Sequence, residues 1–406
     1  MTTAPPHRWV VVADSPFLPA SGGGEREHEG FVAAAVAEGL VAALVVPVDD
    51  PPVADGPDYD LDAIDALVAP APVIRTPRRR SALAALSLRT PYVVASRPVP
   101  ADLVDRVRTA VPDADAVVVF SHKVSRLGQT LAEGLGVPAV LRHHNLEGPY
   151  HRALAAASRP PKSWVIGLEA RRIDADERRL ERSSWLTGIA DISSADAQVR
   201  AARSRVPVAS VPSFAAGSVT RPEEAARRRD PVPTVVFVGA LDVLTNHDAV
   251  RWFAEQVWPA VRDRGPDGVR WQVVGRRPTE EVRRLVAATP GAELHPDVPD
   301  PAEYLRGAWV AVNPAVSGSG VNIKLVEYLA LGVPVVSTRR GMAGIGLDPG
   351  ADLEVRDDPA AFADAVLGLL ADPKAADRLG AAGQTTAGRI LDVRASLRAL
   401  AELLTG

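Results

Sequence analysis

Lys324 and Glu327 stand three residues apart, just after the run Ser317-Gly318-Ser319-Gly320. In a helix that spacing puts both side chains on one face. A helix start preceded by glycines offers free amides that a phosphate can approach closely, and Lys324 reaches back toward the same anion. Glu327, one turn deeper, can accept hydrogen bonds from sugar hydroxyls. The same residues also read without any ligand, as an amphipathic helix with a surface Lys–Glu pair worth at most ~0.5 kcal/mol.

The elements that must position these groups run from Val310 to Thr338, VAVNPAVSGSGVNIKLVEYLALGVPVVST. Val310 to Val312 read as a buried strand, and Asn313, Pro314 and the Ser-Gly run break it. A helix follows from near Ser319 to about Leu331, stopped by Gly332 and Pro334. Val333 to Ser337 is the next buried strand. The unit is strand–helix–strand with its glycine turn at the carboxyl end of a strand, where open α/β sheets bind ligands.

The remaining chain repeats this grammar. Trp9–Ala13 is a strand, and Gly22, Gly23 and Gly24 lead into a helix of about Glu25 to Glu38. Glycine there leaves room for a ligand beside the backbone, or the acidic start simply complements the helix dipole. Leu40–Val48 is a strand, Ser81–Leu88 a helix, and Pro91–Ser96 an extended piece. Ala116–Phe120 delivers Ser121-His122-Lys123 at its carboxyl end, and Val137–Leu141 delivers Arg142-His143-His144-Asn145-Leu146-Glu147. Polar clusters at strand ends line clefts more often than they fill cores. The histidines also read as a zinc site or as satisfied loop residues, but no well-spaced third ligand is present. Trp164–Arg182 is a long charged helix, and Ser193 caps the next one. In the second half, Thr234–Val238 ends in Gly239, with Asn246, His247 and Asp248 in the following loop. A single helix runs from about Ala249 to Arg262, and Val269–Val274 delivers Gly275 and Arg276.

The pattern G-x-G-V-x-I-K-x-x-E-Y-x-A-x-G-V-P-V-V-S-T resembles the donor motif of retaining, nucleotide-sugar-dependent glycosyltransferases of the GT-B type. This is the group 1, mannosyltransferase-like family. The stretch LRHHNLEGPY is similar to that family's R-x-H-N-x-E segment. The resemblance implies that Glu327 holds the nucleotide ribose. Ser319 stands where the family has a further glutamate that contacts the sugar, so that contact falls to backbone amides or another residue. It also implies that His122 lies near the reacting sugar. Gly239, Asn246, Gly275, Arg276, Gly318, Ser319, Gly320, Val321, Asn322, Lys324 and Glu327 would form the donor side. Gly22, Gly23, Gly24, Arg142, His144, Asn145 and Glu147 would line the acceptor side. His122, Lys324 and Glu327 would act in catalysis. No metal and no tightly bound cofactor is implied; the co-substrate would be a UDP- or GDP-linked sugar.

Length and composition agree with this frame. The 406 residues are enough for two cores, and 47% hydrophobic with 24% charged residues are globular values. A net charge of −4 gives no reason to expect nucleic acid or an acidic membrane as a main partner. The chain has no cysteine, hence neither disulfide framework nor thiolate metal site. No apolar run approaches the ~20 residues of a membrane span, and a cytoplasmic location is expected. The expected fold is α/β: two Rossmann-like domains facing a cleft, 1–213 with about 388–406 crossing back, and 214–387. The expected function is sugar transfer from a nucleoside-diphosphate donor, with retention, to a hydroxyl on a small molecule, a glycan or a lipid-linked glycan. A nucleotide-sugar epimerase, a sugar phosphorylase or a non-catalytic binding subunit is the alternative. A dinucleotide-binding dehydrogenase is disfavoured, because no G-x-G-x-x-G follows the first strand.

Overall fold

A computed structural model describes residues 7–20, 23–52, 59–79, 87, 90–156, 158–214, 228–317 and 321–405. The strands of the first sheet are Trp9–Val12 (β1), Val41–Asp49 (β2), Val73–Arg78 (β3), Ala116–Phe120 (β4), Ala139–His143 (β5), Gly188–Asp191 (β6) and Val208–Ser210 (β7). They lie in the order β3-β2-β1-β4-β5-β6-β7, and all pairs are parallel. Every residue of β1, β4, β5 and β6 is buried. Continuous apolar runs such as AVVVF are therefore what a parallel sheet covered on both faces requires.

The second sheet has Thr234–Val238 (β8), Arg270–Gly275 (β9), Ala292–Pro296 (β10), Val310–Asn313 (β11), Val335–Ser337 (β12) and Glu354–Val355 (β13). Its order is β10-β9-β8-β11-β12-β13, again parallel. Both sheets thus reverse direction of growth beside their first strand, the doubly wound arrangement. The chain divides into two compact units, Met1–Ala215 with Val393–Gly406, and Ala216–Asp392. The closing helix Val393–Thr405 buries Leu397, Leu400 and Leu404 in the core of the first unit, among Trp9, Phe31 and Phe120.

Several local expectations are corrected. The helix at the donor motif is Ile323–Ala330, with Asn322 as its N-cap residue, so it begins later than Ser319. Tyr92–Ala95 is a short helix, not an extended piece. The expected helix at Ser81–Leu88, apart from Ser87, and the residues Gly22, Gly318, Ser319 and Gly320 lie outside the described residues. Ala249–Arg262 is interrupted: an α-helix Leu244–Trp252 passes through a π-turn at Phe253–Val257 into Trp258–Arg264. Pro259 lacks the N–H that would bond one turn back, and the widened turn absorbs that loss. The helix Glu280–Ala287, the strand β10 and the helix Glu147–Ala156 have no counterpart in the sequence reading.

Candidate active site

In each unit the chain leaves the two central strands toward opposite faces, which opens a crevice at their carboxyl ends. In the second unit these are β8 and β11. Asn246 and Asp248 stand in the first turns of the helix Leu244–Trp252 after β8, which corrects their placement in the preceding loop; the loop after β11 carries Ser317 and leads to the Ile323–Ala330 helix. This helix start and that loop are tied by side chains. The Ser317 hydroxyl donates to Asp248 Oδ2 at 2.6 Å. The Lys324 ammonium donates to Asn246 Oδ1 at 2.5 Å and sits 4.7 Å from the centre of the Phe237 ring. The Asn246 amide nitrogen donates to the Ala240 carbonyl at 2.8 Å, which fixes its oxygen toward Lys324.

The motif helix is locked from below. The Tyr328 hydroxyl donates to the Val238 carbonyl and accepts from the Val238 amide, both at 2.8 Å. This bridge seats the helix on the end of β8, and Lys324, one turn earlier, is thereby set over Phe237. At the other end, Gly332 takes a left-handed φ of 68°, and Gln384 caps the Ala330 carbonyl at 2.9 Å. Burial lowers the Lys324 pKa to about 8, and the charge of Glu327 opposes that fall. Glu327 itself is buried, only 7% exposed, so it is not half of a surface ion pair.

The glycines of this unit act through packing. A side chain on Gly275 would overlap the Gly239 carbonyl, and one on Gly239 would press on Asn246 and Phe237 at 3.1 and 3.2 Å. Both are needed for the strand ends to approach. The Arg276 carbonyl accepts from the Leu241 amide, which holds the two strand-end loops together. Asn322 makes no side-chain cap, so the amides at the start of the motif helix are not satisfied by it. Val321 packs, partly buried, on the core below the helix.

In the first unit the crevice lies between β1 and β4. Asp14 follows β1, and Ser121, His122 and Lys123 follow β4. The Lys123 ammonium donates to Asp14 Oδ2 at 2.9 Å, bridging the switch point. Burial alone would push the Asp14 carboxyl up, but the charge of Lys123 overrides it and holds the group well below the usual range. Ser121 has φ 72° and ψ 153°, a region that non-glycine residues avoid, at a cost of about 1–3 kcal/mol. Its hydroxyl accepts from the Lys123 amide at 3.2 Å. This strained turn aims His122 and Lys123.

His122 is fully buried, and neither ring nitrogen has a hydrogen-bond partner among the described residues. Burial drives its pKa to about 3, so the ring is neutral near pH 7. It stacks on His143 with centroids 6.5 Å apart. Burial also holds His143 well below its ordinary value, and takes His144 to about 4. His144 packs into an aromatic group with His28 and Phe120 at 5.5 and 6.1 Å.

Arg142 turns inward, which corrects its reading as a residue lining the acceptor side. It is fully buried, its guanidinium bonded to Glu27 at 2.6 and 3.0 Å and to the carbonyls of Val211 and Pro212. Glu27 in turn accepts from the Ser213 hydroxyl and the Phe214 amide. The pair clamps the segment where the chain leaves this unit. Asn145 and Glu147 remain at the strand-end loop, their side chains hydrogen-bonded to each other, and burial raises the Glu147 pKa. The buried carboxylate of Glu177 receives the amides of Glu147 and Gly148 at 3.3 and 3.1 Å, where the next helix starts. Gly23 opens the first helix, and Gly24 has open space where a side chain would stand, so packing within the chain does not demand glycine at Gly24.

Sequence reasoning placed Lys123 at a strand end but gave it no role, and passed over Asp14, Tyr328 and the Asp248–Ser317 bond. Asp14 and Lys123 were findable from position alone, as the residues after the two central strands. The others depend on loop geometry. Among the described residues no group of three or more His, Cys, Asp or Glu side chains could hold a metal ion. No described helix is long and apolar enough to cross a membrane.

This architecture is the GT-B fold, and residues 232–372 match the model of the family Glycosyl transferases group 1. The match lies within the second unit, which is thus similar to a group 1 glycosyltransferase domain. Among solved structures, HepE of Anabaena in complex with UDP and glucose is similar with a TM-score of 0.63 at 13% identity, over 98% of this chain and 99% of that one. Sucrose-phosphate synthase from Thermosynechococcus elongatus gives 0.66 at 16% identity, over 98% of both chains. An uncharacterized 44.6 kDa protein from the cps region of Klebsiella pneumoniae is 26% identical over 140 residues, 33% of this chain and 36% of that protein. That match spans about a third of either protein.

Proposed function

We propose that the protein transfers a sugar from a nucleoside-diphosphate donor to an acceptor hydroxyl, with retention at the anomeric carbon. The observation that carries this reading is the donor half-site. A lysine with a lowered pKa is held by Asn246 beside the start of the Ile323–Ala330 helix, at the switch point of the unit that matches the family model. UDP is the donor nucleotide we favour, because the HepE structures were solved with UDP, UDP and glucose, or UDP-glucose.

As the glycosidic bond breaks, negative charge grows on the leaving diphosphate. Amides at the helix start and the Lys324 ammonium stabilise that charge better in the transition state than in the bound donor. Glu327 accepts hydrogen bonds from the ribose. Neutral His122, whose ring nitrogens have no partner among the described residues, contacts the sugar or the acceptor, and the first unit holds the acceptor. No protein base is assigned, since the departing phosphate oxygen can take the acceptor's proton.

Calorimetry with UDP and GDP, together with release of nucleoside diphosphate from UDP- and GDP-sugars, tests the proposal. Glu327→Ala is expected to weaken diphosphate binding at least tenfold. Failure of the native chain to bind either nucleotide, or unchanged affinity in the variant, refutes the assignment.

A further inference from the structure

The helices Glu147–Ala156 and Lys162–Leu180 form a hairpin on the first unit. Their inner faces fit closely: a side chain on Gly148 would press on Asp174 at 2.8 Å, and one on Gly167 would touch Ala155 at 3.9 Å. Their outer faces are apolar and uncovered. Nine large hydrophobic side chains are exposed among the described residues, and five of them are here: Tyr150, Leu154, Trp164, Val165 and Leu168. Trp164 and Val165 are 72% and 68% exposed. Clustering of this kind marks an interaction site, whereas scattered exposure does not.

The charge on the same segment has one sign. No Asp or Glu occurs between Glu147 and Glu169, while Arg152, Arg159 and Lys162 do. Arg152 keeps a pair with Asp174 at 3.5 Å; Arg159 and Lys162 have no ion pair among the described residues. Lys162 also stands at the first position of its helix, whose N-terminus has no side-chain cap and no acidic residue in its first turn. A cation there opposes the helix dipole, and an outside anion relieves both. These charges argue against a second copy of the chain. A twofold contact would set Arg152, Arg159 and Lys162 against their own images with no acidic counterpart.

We propose that the tip of this hairpin docks on an anionic lipid bilayer surface. Trp164, Val165 and Leu168 enter the interfacial layer, and Arg159 and Lys162 meet phosphate headgroups. The combination of an aromatic–aliphatic face with a basic rim is what interfacial helices use. At the usual strength of a basic residue near an anionic surface, Arg159 and Lys162 together favour anionic over neutral lipid by roughly tenfold or more. Arg159, Lys162, Trp164, Val165 and Leu168 are not among the residues assigned to sugar transfer, so the test does not depend on that assignment.

The test is co-sedimentation of the full chain with vesicles of phosphatidylcholine alone or mixed with phosphatidylglycerol. Partition onto the anionic vesicles should be at least tenfold stronger and should weaken with salt. The double variant Arg159→Glu, Lys162→Glu should lose that preference. The triple variant Trp164→Ser, Val165→Ser, Leu168→Ser should not bind, with its circular dichroism and thermal melting those of the native chain. Equal partition onto both vesicle types, or unchanged binding of either variant, overturns the proposal. So does a dimer in light scattering that the triple variant abolishes while the native chain ignores vesicles.

Discussion

The Lys324 ammonium gives the sharpest test of the donor site. Its pKa falls from 10.5 to about 8 because burial penalises the charged form, and Glu327 offsets only part of that. A diphosphate bound against the ammonium places negative charge within hydrogen-bond distance and lifts the pKa back above 10. Binding is then coupled to proton uptake. At pH 8 about half a proton enters on binding, and UDP affinity at pH 9 is about tenfold weaker than at pH 7. Calorimetry in buffers of different ionisation enthalpy reads both quantities. Lys324→Met should bind more weakly and lose the pH dependence. The same variant should be more stable at neutral pH. The native pKa lies below the unfolded value, so the stability this group contributes is full above pH 10.5 and is lost as pH falls through 8. Below that, the cost of the buried charge is at most about 3 kcal/mol. A UDP affinity that stays constant from pH 7 to 9, or a Met variant that keeps the native slope, would refute the placement of the diphosphate beside Lys324.

Arg142→Met strands the buried carboxylate of Glu27 and should cost about 3–5 kcal/mol in chemical denaturation, whereas the double variant with Glu27→Met recovers much of that loss. His122 has a native pKa of about 3 against 6.5 unfolded, so its contribution to stability is present above pH 6.5 and is lost as pH falls. Between pH 6.5 and 4.5, His122→Phe should therefore lose about 2 kcal/mol less than the native protein; equal losses would show that the ring is charged or solvated at the lower pH.

Much of the fold was legible because buried parallel strands announce themselves. AVVVF, TVVFV and VAVN carry no alternation and are flanked by turn residues. The glycine turn, the motif helix and its stop at Gly332 were readable for the same reason. Edge elements were not. The strand Ala292–Pro296 is only half-buried, and its sequence AELHP has no apolar run to betray it. The helix Glu147–Ala156 was hidden by Gly148 and Pro149, which read as breakers, yet proline is tolerated in a first helical turn. At the site, residue types were visible but directions were not. Nothing in LRHHNLEGPY says that Arg142 points into the core while Asn145 stays in the loop and Glu147 opens a helix. That choice is made by Glu27, more than a hundred residues earlier in the chain. Likewise Lys324 and Asn246 were each singled out, but their hydrogen bond depends on the helix after β8 starting at Leu244 rather than near Ala249, which composition does not encode.

The helix Val393–Thr405 has a consequence for how the protein is made. The first unit, most of whose residues are made before the second unit's, lacks Leu397, Leu400 and Leu404 until the helix Val393–Thr405 follows the second unit out of the ribosome. Until then its sheet presents a bare apolar strip beside β5 and β6, where that helix later packs. The second unit is one continuous stretch and can close first. The unit whose residues are made earlier is thus completed later, and a chain cut off after Asp392 would keep a complete second unit and an unsealed first one.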